Sequence, residues 1–451
     1  MTRWLAAIRR RASAAAIHGL AGPTTRSSRR VAIASVLALL AAGCTTQSAG
    51  HPGPGPAGSL SASSAVSEPA AAGQQHVRGF GTVTRSAPGC TPMTQSAPAL
   101  PASDTAMTAV PAQPFGVAVS SDGRWAFVSL ISEGIGLFRI GGDGSLTLVR
   151  TEGSDFSAVG NPAVGNVLSP DDRYLLIADG GAGAAVLDVR RAEQGGSHAV
   201  LGLLTAPVSP PAGSIEVAVT PDDRYAFVSL EDAESIAVFS LRRALTGGFG
   251  PADYVGSIPT QLGPVGLAVS PDGRWLYSTS EEERGRTQVG SLSVISIAKA
   301  ESDPAHSVVA RVAAGCNPVR VITSADGNLV WVTARASDAL LAFSASALRT
   351  DPSHALLADV PVGEAPVGLA LVRGGSLIVV ADSNRFSASG AHASLAVVDV
   401  ANALAGRPAL IGYLAAGSFP REMAMVPGGS ALLVSNFGSD QLEVVKLADL
   451  P

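Results

Sequence analysis

Three charged residues occupy positions where other copies of a sequence repeat carry glycine: Glu216, Arg320 and Glu422. If a cleft brings them together, they could bind a polar ligand. They could also catalyse hydrolysis, with a carboxylate as general base and the arginine stabilising an oxyanion. A structural ion-pair ring is the alternative that the residues leave open. Asn166 and Arg421 adjoin equivalent repeat positions and are further candidate ligand-binding residues.

The repeat that positions these residues is a hairpin unit, seen most clearly in PVGLAVSPDGRWL, which begins at Pro264. Its Ser-Pro-Asp-Gly turn separates two apolar runs, so the two runs should pair as antiparallel strands. Copies recur about every 50 residues, a spacing typical of repeat architectures. The residue after the turn falls at Arg124, Arg173, Arg224, Arg274, Asn328, Ser376 and Ser430.

Each hairpin is followed by a third apolar run, and six of the units also have a fourth. Four short strands per repeat indicate a β-propeller, in which neighbouring blades bury each other's faces. The sequence therefore predicts an all-β, seven-bladed β-propeller of four-stranded antiparallel blades. The last unit has only three strands, and we expect residues 105–110 to complete it and close the ring.

The glycine-or-charge position lies near the start of the first strand of each unit. That strand is innermost in a propeller, so the position should sit near the mouth of the central channel, where converging fields can hold a polar ligand. Long loops at 281–288 and 383–388 should share this face and flank the fifth unit. The seven equivalent residues are Gly116, Gly165, Glu216, Gly266, Arg320, Gly368 and Glu422.

The units resemble YVTN-type repeats and lactonase-like seven-bladed propellers over residues 105–447. The resemblance rests on the SPDGR turns, the Gly-x-Leu-Thr-Leu strand at 144–148 and the LVSN tetrapeptide at 433–436. It implies either a binding module or a hydrolase that acts on a sugar lactone. Enzymatic members of the group carry a histidine near the start of an innermost strand, and no unit of this chain does so. We therefore expect a module that binds a ligand or protein, with a lactonase-like hydrolase as the alternative and a scaffold without a pocket still open.

Composition and the absence of standard motifs exclude some classes of partner and cofactor. A net charge of −5 and the lack of a basic stripe argue against nucleic-acid binding. The sequence contains none of the standard nucleophile, phosphate-binding or metal-ligand motifs, so it predicts no cofactor and no metal.

The first 44 residues are typical of an export signal. Arginines precede an uncharged run from Val31 to Ala42, and Leu40-Ala41-Ala42-Gly43-Cys44 resembles a bacterial lipobox. We expect Cys44 to be acylated and to anchor the protein in the membrane, on the outer face of the cell membrane or in the periplasm. Residues 45–103, rich in Ser, Ala, Pro and Gly, are predicted to form a disordered tether, and the propeller to span 104–451.

Two further cysteines remain, Cys90 and Cys316. In an exported protein an even number of cysteines is more often disulfide-bonded than catalytic, so these two are a disulfide candidate.

Overall fold

The structure, a computed structural model, describes residues 86–93, 95–101, 105–153, 162–195, 198–385 and 393–450. The predicted signal segment with Cys44 and most of the predicted tether lie outside these residues. The described strands form seven four-stranded antiparallel sheets, which confirms the predicted seven-bladed propeller. Among the described residues, no helix has the length and apolar character needed to cross a bilayer.

Six blades are built from four consecutive strands, with the first strand innermost. Blades 1 to 3 consist of β2 (Pro114–Val119), β3 (Trp125–Leu130), β4 (Gly134–Ile140), β5 (Leu146–Glu152), β6 (Asn166–Leu168), β7 (Tyr174–Ala178), β8 (Gly183–Asp188), β9 (Val200–Thr205), β10 (Ser214–Val219), β11 (Tyr225–Leu230), β12 (Ser235–Ser240) and β13 (Tyr254–Pro259). Blades 4 to 6 consist of β14 (Leu262–Val269), β15 (Trp275–Glu282), β16 (Val289–Ser296), β17 (Val308–Cys316), β18 (Pro318–Thr323), β19 (Leu329–Ala334), β20 (Ala339–Ser344), β21 (Leu356–Pro361), β22 (Pro366–Val372), β23 (Leu377–Asp382), β24 (Ser394–Asp399) and β25 (Leu410–Ala415).

Blade 7 combines the first and the last strands of the propeller. Its inner strands are β26 (Pro420–Met425), β27 (Ala431–Asn436) and β28 (Gln441–Lys446). The outer strand is β1 (Ala106–Ala109), which pairs antiparallel with β28 and places Ala106 opposite Val444. Blade 7 thereby has the same four strands as its neighbours.

Short helices connect the third and fourth strands in blades 2 to 6, a feature that the sequence pattern did not predict. Most begin at a residue whose side chain accepts a backbone N–H of the first turn, as Asp188 and Ser240 do, which satisfies a donor that has no partner within the helix. The five helices are α1 (Val189–Gln194), α2 (Leu241–Gly247), α3 (Ile297–Ala300), α4 (Ala347–Thr350) and α5 (Val400–Leu404).

The Ser-Pro-Asp-Gly turn forms a small hydrogen-bond network. Ser270 Oγ donates to the Asp272 carboxylate and accepts the N–H of Trp275 at 2.9 Å. Asp272 accepts the N–H of Arg274 at 3.1 Å, and Gly273 has a φ of 69°, a left-handed value that suits glycine. These bonds fix the hairpin between the first and second strands and so set the register of the inner strand.

Neighbouring blades are joined by apolar side chains and by hydroxyl bridges. Between blades 3 and 4, for example, Phe227 and Val238 share a buried cluster with Leu276. Nearer the axis, Thr279 Oγ1 accepts the N–H of Gly266 at 3.0 Å and donates to the next blade's Val319 carbonyl at 2.7 Å. Equivalent bridges start from Ser229, Thr333 and Ser435.

Residues 86–93 and 95–101, called the strap from here on, pack against blades 5 and 6. Cys90 is disulfide-bonded to Cys316, with the two Cα atoms 5.2 Å apart. Met93 donates its N–H to the Ser337 carbonyl at 2.9 Å, and Leu100 donates to the Tyr413 carbonyl at 2.8 Å. The folded part of the chain thus begins upstream of the boundary predicted at residue 104.

The disulfide closes a loop with a sequence separation of 226 residues. In the chain-entropy model, a cross-link over a loop of that length stabilises the folded state by about 5 kcal/mol.

Crowding around the axis restricts the innermost strands. A Cβ atom added to Gly266 would lie 2.3 Å from the carbonyl oxygen of Val319 on the next blade. Added Cβ atoms at Gly165 and Gly368 would lie 2.5 and 2.1 Å from the equivalent carbonyls of Ile215 and Arg421. A Cβ atom on Gly116 would lie 2.8 Å from backbone atoms of Val164 and Asn166, so four of the seven positions have no room for a side chain in this packing.

We predict that Gly266→Ala lowers the free energy of unfolding by about 2 kcal/mol, because the methyl group would collide with a backbone atom that cannot rotate away. Urea-induced unfolding of the purified protein measures this change. Gly142→Ala is the matched control, since nothing lies within 4 Å of its Cβ position and a change within about 0.5 kcal/mol is expected. Equal stabilities for the two variants would contradict the packing described here.

Candidate functional site

Glu216, Arg320 and Glu422 meet across the axis of the propeller. Arg320 Nη2 lies 3.2 Å from Glu216 Oε2, and the Arg320 guanidinium also forms an ion pair with Glu422 Oε1 through Nε and Nη2. The three residues come from the inner strands of blades 3, 5 and 7, and we call them the axial triad. The Arg320 side chain is 6% exposed and each glutamate side chain 17% exposed, while Glu216 Oε2 itself is buried.

The glycines of blades 2, 4 and 6 make this arrangement possible. Gly165 precedes Glu216 around the ring, Gly266 precedes Arg320, and the third glycine, in blade 6, precedes Glu422. From blade 2 to blade 7 glycine alternates with a long side chain, and blade 1 has a further glycine, Gly116, which leaves the space near the axis to the three charged groups.

Burial and the opposite charges within the triad shift the pKa values of its members in opposite directions. Burial raises the pKa of Glu216 to about 8; Arg320 opposes the shift, and the Glu422 carboxylate adds to it. Burial lowers the pKa of Arg320, but Glu422 and Glu216 outweigh it and hold that pKa above its ordinary value. At neutral pH Glu216 is therefore mostly a neutral acid beside an Arg320–Glu422 ion pair, which avoids an uncompensated buried charge.

Arg421 lies behind the triad and is 1% exposed. Its guanidinium carbon is 3.6 Å from the ring centroid of Phe115, and the rings of Phe419 and Phe437 are also close. Burial, followed by the neighbouring Arg320, lowers the pKa of Arg421 well below its ordinary value. Arg421 is thus packed between blades 7 and 1 among aromatic rings, a cation–π arrangement.

The Asn166 side chain bonds to blade 1 and not to the triad. Its Nδ2 donates to Ser129 Oγ at 2.8 Å and to the Phe127 carbonyl at 3.4 Å, both in blade 1. The equivalent position in other blades carries buried apolar residues such as Val217 and Leu267. The structure therefore places Asn166 between blades 1 and 2 rather than beside the triad, where the sequence grouped it.

A second group of charges, which the sequence analysis did not select as a site, surrounds the channel on the same face. Arg335 Nη1 lies 2.9 Å from Glu281 Oε1, and both residues are buried. Burial, reinforced by Glu281, raises the pKa of Glu231 to about 8. Burial, followed by Arg335, lowers the pKa of Arg385 to about 10. The signal that could have identified three of them is positional, because Glu231, Glu281 and Arg335 each lie two residues after the bridging hydroxyl of their blade.

Charged side chains of the loop at 281–288 form ion pairs with nearby residues. Arg284 forms an ion pair with Glu234 of blade 3, and Arg286 Nη1 lies 3.0 Å from Glu283 Oε2. The described part of the second long loop ends at residue 385.

Chemically, the triad offers a carboxylic acid, a carboxylate and a guanidinium that face one another at the channel mouth. Such a set can donate hydrogen bonds to a ligand and also accept them. Within the described ranges, no group of three or more His, Cys, Asp or Glu residues is arranged to hold a metal ion.

Comparison with known proteins gives one family match. The family model described as lactonase, 7-bladed beta-propeller, matches residues 93–366, which is more than half of the chain. No curated protein sequence matches this chain.

Solved structures show the same fold at low sequence identity. Hydrazine synthase of Kuenenia stuttgartiensis superposes with a TM-score of 0.57 and 18% identity, over 76% of this chain and 97% of that one. A chain of the mitotic checkpoint complex superposes with a TM-score of 0.57 and 12% identity, over 78% of this chain and 97% of its own. At these identities the likeness concerns the propeller architecture alone.

The raised pKa of Glu216 predicts how stability depends on pH. Between the ordinary value of 4.5 and about 8, the folded protein keeps a proton that the unfolded chain releases, so the free energy of unfolding falls as pH rises. We expect Glu216→Gln to reduce this slope by up to about 1.4 kcal/mol per pH unit over that range. Urea unfolding from pH 5 to pH 8.5 measures the slope, with Glu133→Gln, at an exposed site, as control. Parallel curves for the wild type and Glu216→Gln would contradict the assignment.

Proposed function

This chain belongs to the lactonase, seven-bladed β-propeller family, and we propose that it serves as a binding module of the cell envelope. The ligand is a small polyhydroxylated molecule held at the channel mouth by the axial triad. The observation that carries the proposal is the meeting of Glu216, Arg320 and Glu422 across the axis, with both glutamate side chains still partly exposed.

Binding fits the protonation of the triad better than catalysis at neutral pH does. A general base must be ionised at the working pH, and the pKa of about 8 keeps Glu216 mostly protonated at pH 7. Arg320 is engaged by both carboxyls, so the charge that an oxyanion would need is largely neutralised. A neutral acid beside a paired carboxylate is well suited to sugar hydroxyls, which donate and accept hydrogen bonds.

A lactonase-like hydrolase is the second candidate, and two observations favour it. The family match is to lactonases, and Glu216 combines a raised pKa with a guanidinium 3.2 Å away. In this case Glu216 would become a base for water as pH rises past 8, and Arg320 would stabilise the developing oxyanion.

Glucono-δ-lactone and gluconate distinguish these candidates. We expect calorimetry to detect gluconate binding and Arg320→Met to weaken it at least tenfold, because this variant removes the guanidinium donors from the channel mouth. Glu216→Gln should weaken it less, because the amide replaces the carboxyl O–H with weaker N–H donors and keeps one acceptor oxygen. Lactone hydrolysis should stay at the uncatalysed rate from pH 6 to pH 9. Turnover that rises towards pH 9 and is lost in Glu216→Gln would instead establish the hydrolase.

Arg320→Met also leaves Glu216 and Glu422 without their cation, and removing one partner of a buried ion pair costs roughly 3–5 kcal/mol. Its folded fraction must therefore be measured before its affinity, and Glu422→Gln provides a milder variant. If all three variants lose stability while gluconate affinity is absent or unchanged, the triad is a structural ion-pair ring and the binding proposal fails.

The proposal includes export and a lipid anchor at Cys44. It rests on the lipobox-like Leu40–Cys44 segment and on the Ser/Ala/Pro/Gly-rich stretch that follows it. We expect Cys44→Ser to move the protein from the membrane fraction to the soluble fraction and to abolish the acyl mass increment on the mature N-terminus. Ser48→Ala is the control and should remain in the membrane fraction. A wild-type protein recovered without an acylated Cys44 would contradict the anchor.

A further inference from the structure

A cavity of about 660 Å³ lies between the strap and the loops of blades 5 and 6. Its volume falls in the range of small-molecule sites. One wall is the strap at Cys90, Pro92 and Met93, and the opposite walls come from the connections around blade 5. None of the axial triad residues lines it, so this strap cavity is separate from the channel mouth.

The strap is held firmly on both sides of the cavity. Ser337 is buried; its Oγ accepts the N–H of Cys316 at 3.0 Å and donates to the Gly89 carbonyl at 2.9 Å. On the far side, Tyr413 donates its N–H to the Pro98 carbonyl at 3.0 Å, and its hydroxyl donates to the Gln95 carbonyl at 3.2 Å. The cavity walls are therefore in place before any ligand arrives, which reduces the entropic cost of binding.

Two carboxyls face the cavity from successive connections. Asp338 is buried; its Oδ1 accepts the N–H of Ala365 at 2.8 Å, and its second oxygen makes no hydrogen bond to any described residue. Glu364 also lines the cavity, and its carboxyl has no hydrogen-bond partner within the described ranges. One bond thus orients Asp338, while the two side chains keep acceptor oxygens for a ligand.

The charge of the cavity is negative. Arg335 is the one cation among the cavity-lining residues, and it is already paired with Glu281 at 2.9 Å. Burial raises the pKa of Asp338, and burial together with Asp338 raises the pKa of Glu364. A bound cation would relieve this repulsion, whereas an anion would increase it.

The remaining wall indicates which type of cation fits the cavity. Pro92, Met93 and Val362, together with the disulfide, supply an apolar surface beside the two carboxyls. A Ca²⁺ or Mg²⁺ site prefers six or more oxygen ligands without such a surface. The combination fits an ammonium group carried on an apolar body.

We propose that the strap cavity is a binding site for a small organic amine, whose ammonium group pairs with Asp338 and Glu364 while its apolar body packs against the strap. Pro92 and Met93 contact the body, and the disulfide between Cys90 and Cys316 keeps that wall in position.

Three probes with the same body and different charge test the proposal on the disulfide-intact protein: 4-phenylbutylamine, 4-phenylbutanol and 4-phenylbutyrate. We expect calorimetry at pH 7.5 to give an affinity for the amine at least tenfold higher than for the alcohol, and no measurable binding of the acid. Glu364→Gln and Asp338→Asn should each weaken amine binding about tenfold. The asparagine can still accept the Ala365 N–H, so that variant keeps the local fold. Glu133→Gln, an exposed acid in the blade 1 loop, should leave amine affinity unchanged.

Equal affinity for the amine and the alcohol would overturn the proposal, as would amine binding that both carboxyl variants leave intact. No amine binding at millimolar concentration would also overturn it. Gluconate binding measured on the same Glu364→Gln sample reports on the channel mouth alone, so failure at one site is distinguished from failure at the other.

Discussion

Crowding of the innermost strands around the axis is the constraint on which the rest of this structure depends. The glycines of blades 2, 4 and 6 face a backbone carbonyl of the next blade at distances that no Cβ atom could tolerate. Because those positions carry no side chain, the intervening blades can direct long side chains into the same space. Blades 3, 5 and 7 do so with Glu216, Arg320 and Glu422, and the position in blade 1 is again a glycine, Gly116.

Burial and the neighbouring charges then determine the protonation states of these three groups. With both carboxyls ionised, the three groups would carry a net charge of −1 in a buried site. Burial opposes this by raising the pKa of Glu216. Arg421, packed on Phe115, adds a second cation behind Glu422. The channel mouth is thus a balanced set of donors and acceptors, and its charge changes when Glu216 titrates.

The strap adds a second level of organisation outside the ring. A disulfide and backbone hydrogen bonds to Ser337 and Tyr413 hold it on blades 5 and 6. The strap therefore forms part of the folded domain and makes one wall of a cavity. Arg335 lies at the border of the two regions, since it lines the cavity and pairs with Glu281 beside the channel.

The sequence by itself determined the architecture, because a blade is a local unit. The turn Ser270–Arg274 specifies a hairpin through contacts within a few residues, and its recurrence sets the number of blades. The sequence also identified Glu216, Arg320 and Glu422 as departures from glycine.

Only the tertiary structure decided that they meet, since they come from blades that are not neighbours. It also separated Asn166 from them, because consecutive residues of a strand point to opposite faces and Asn166 follows the channel position Gly165. The strap could not be predicted from the sequence either. Its bonds are mostly backbone contacts to residues more than 200 positions away, and its composition resembles that of a linker.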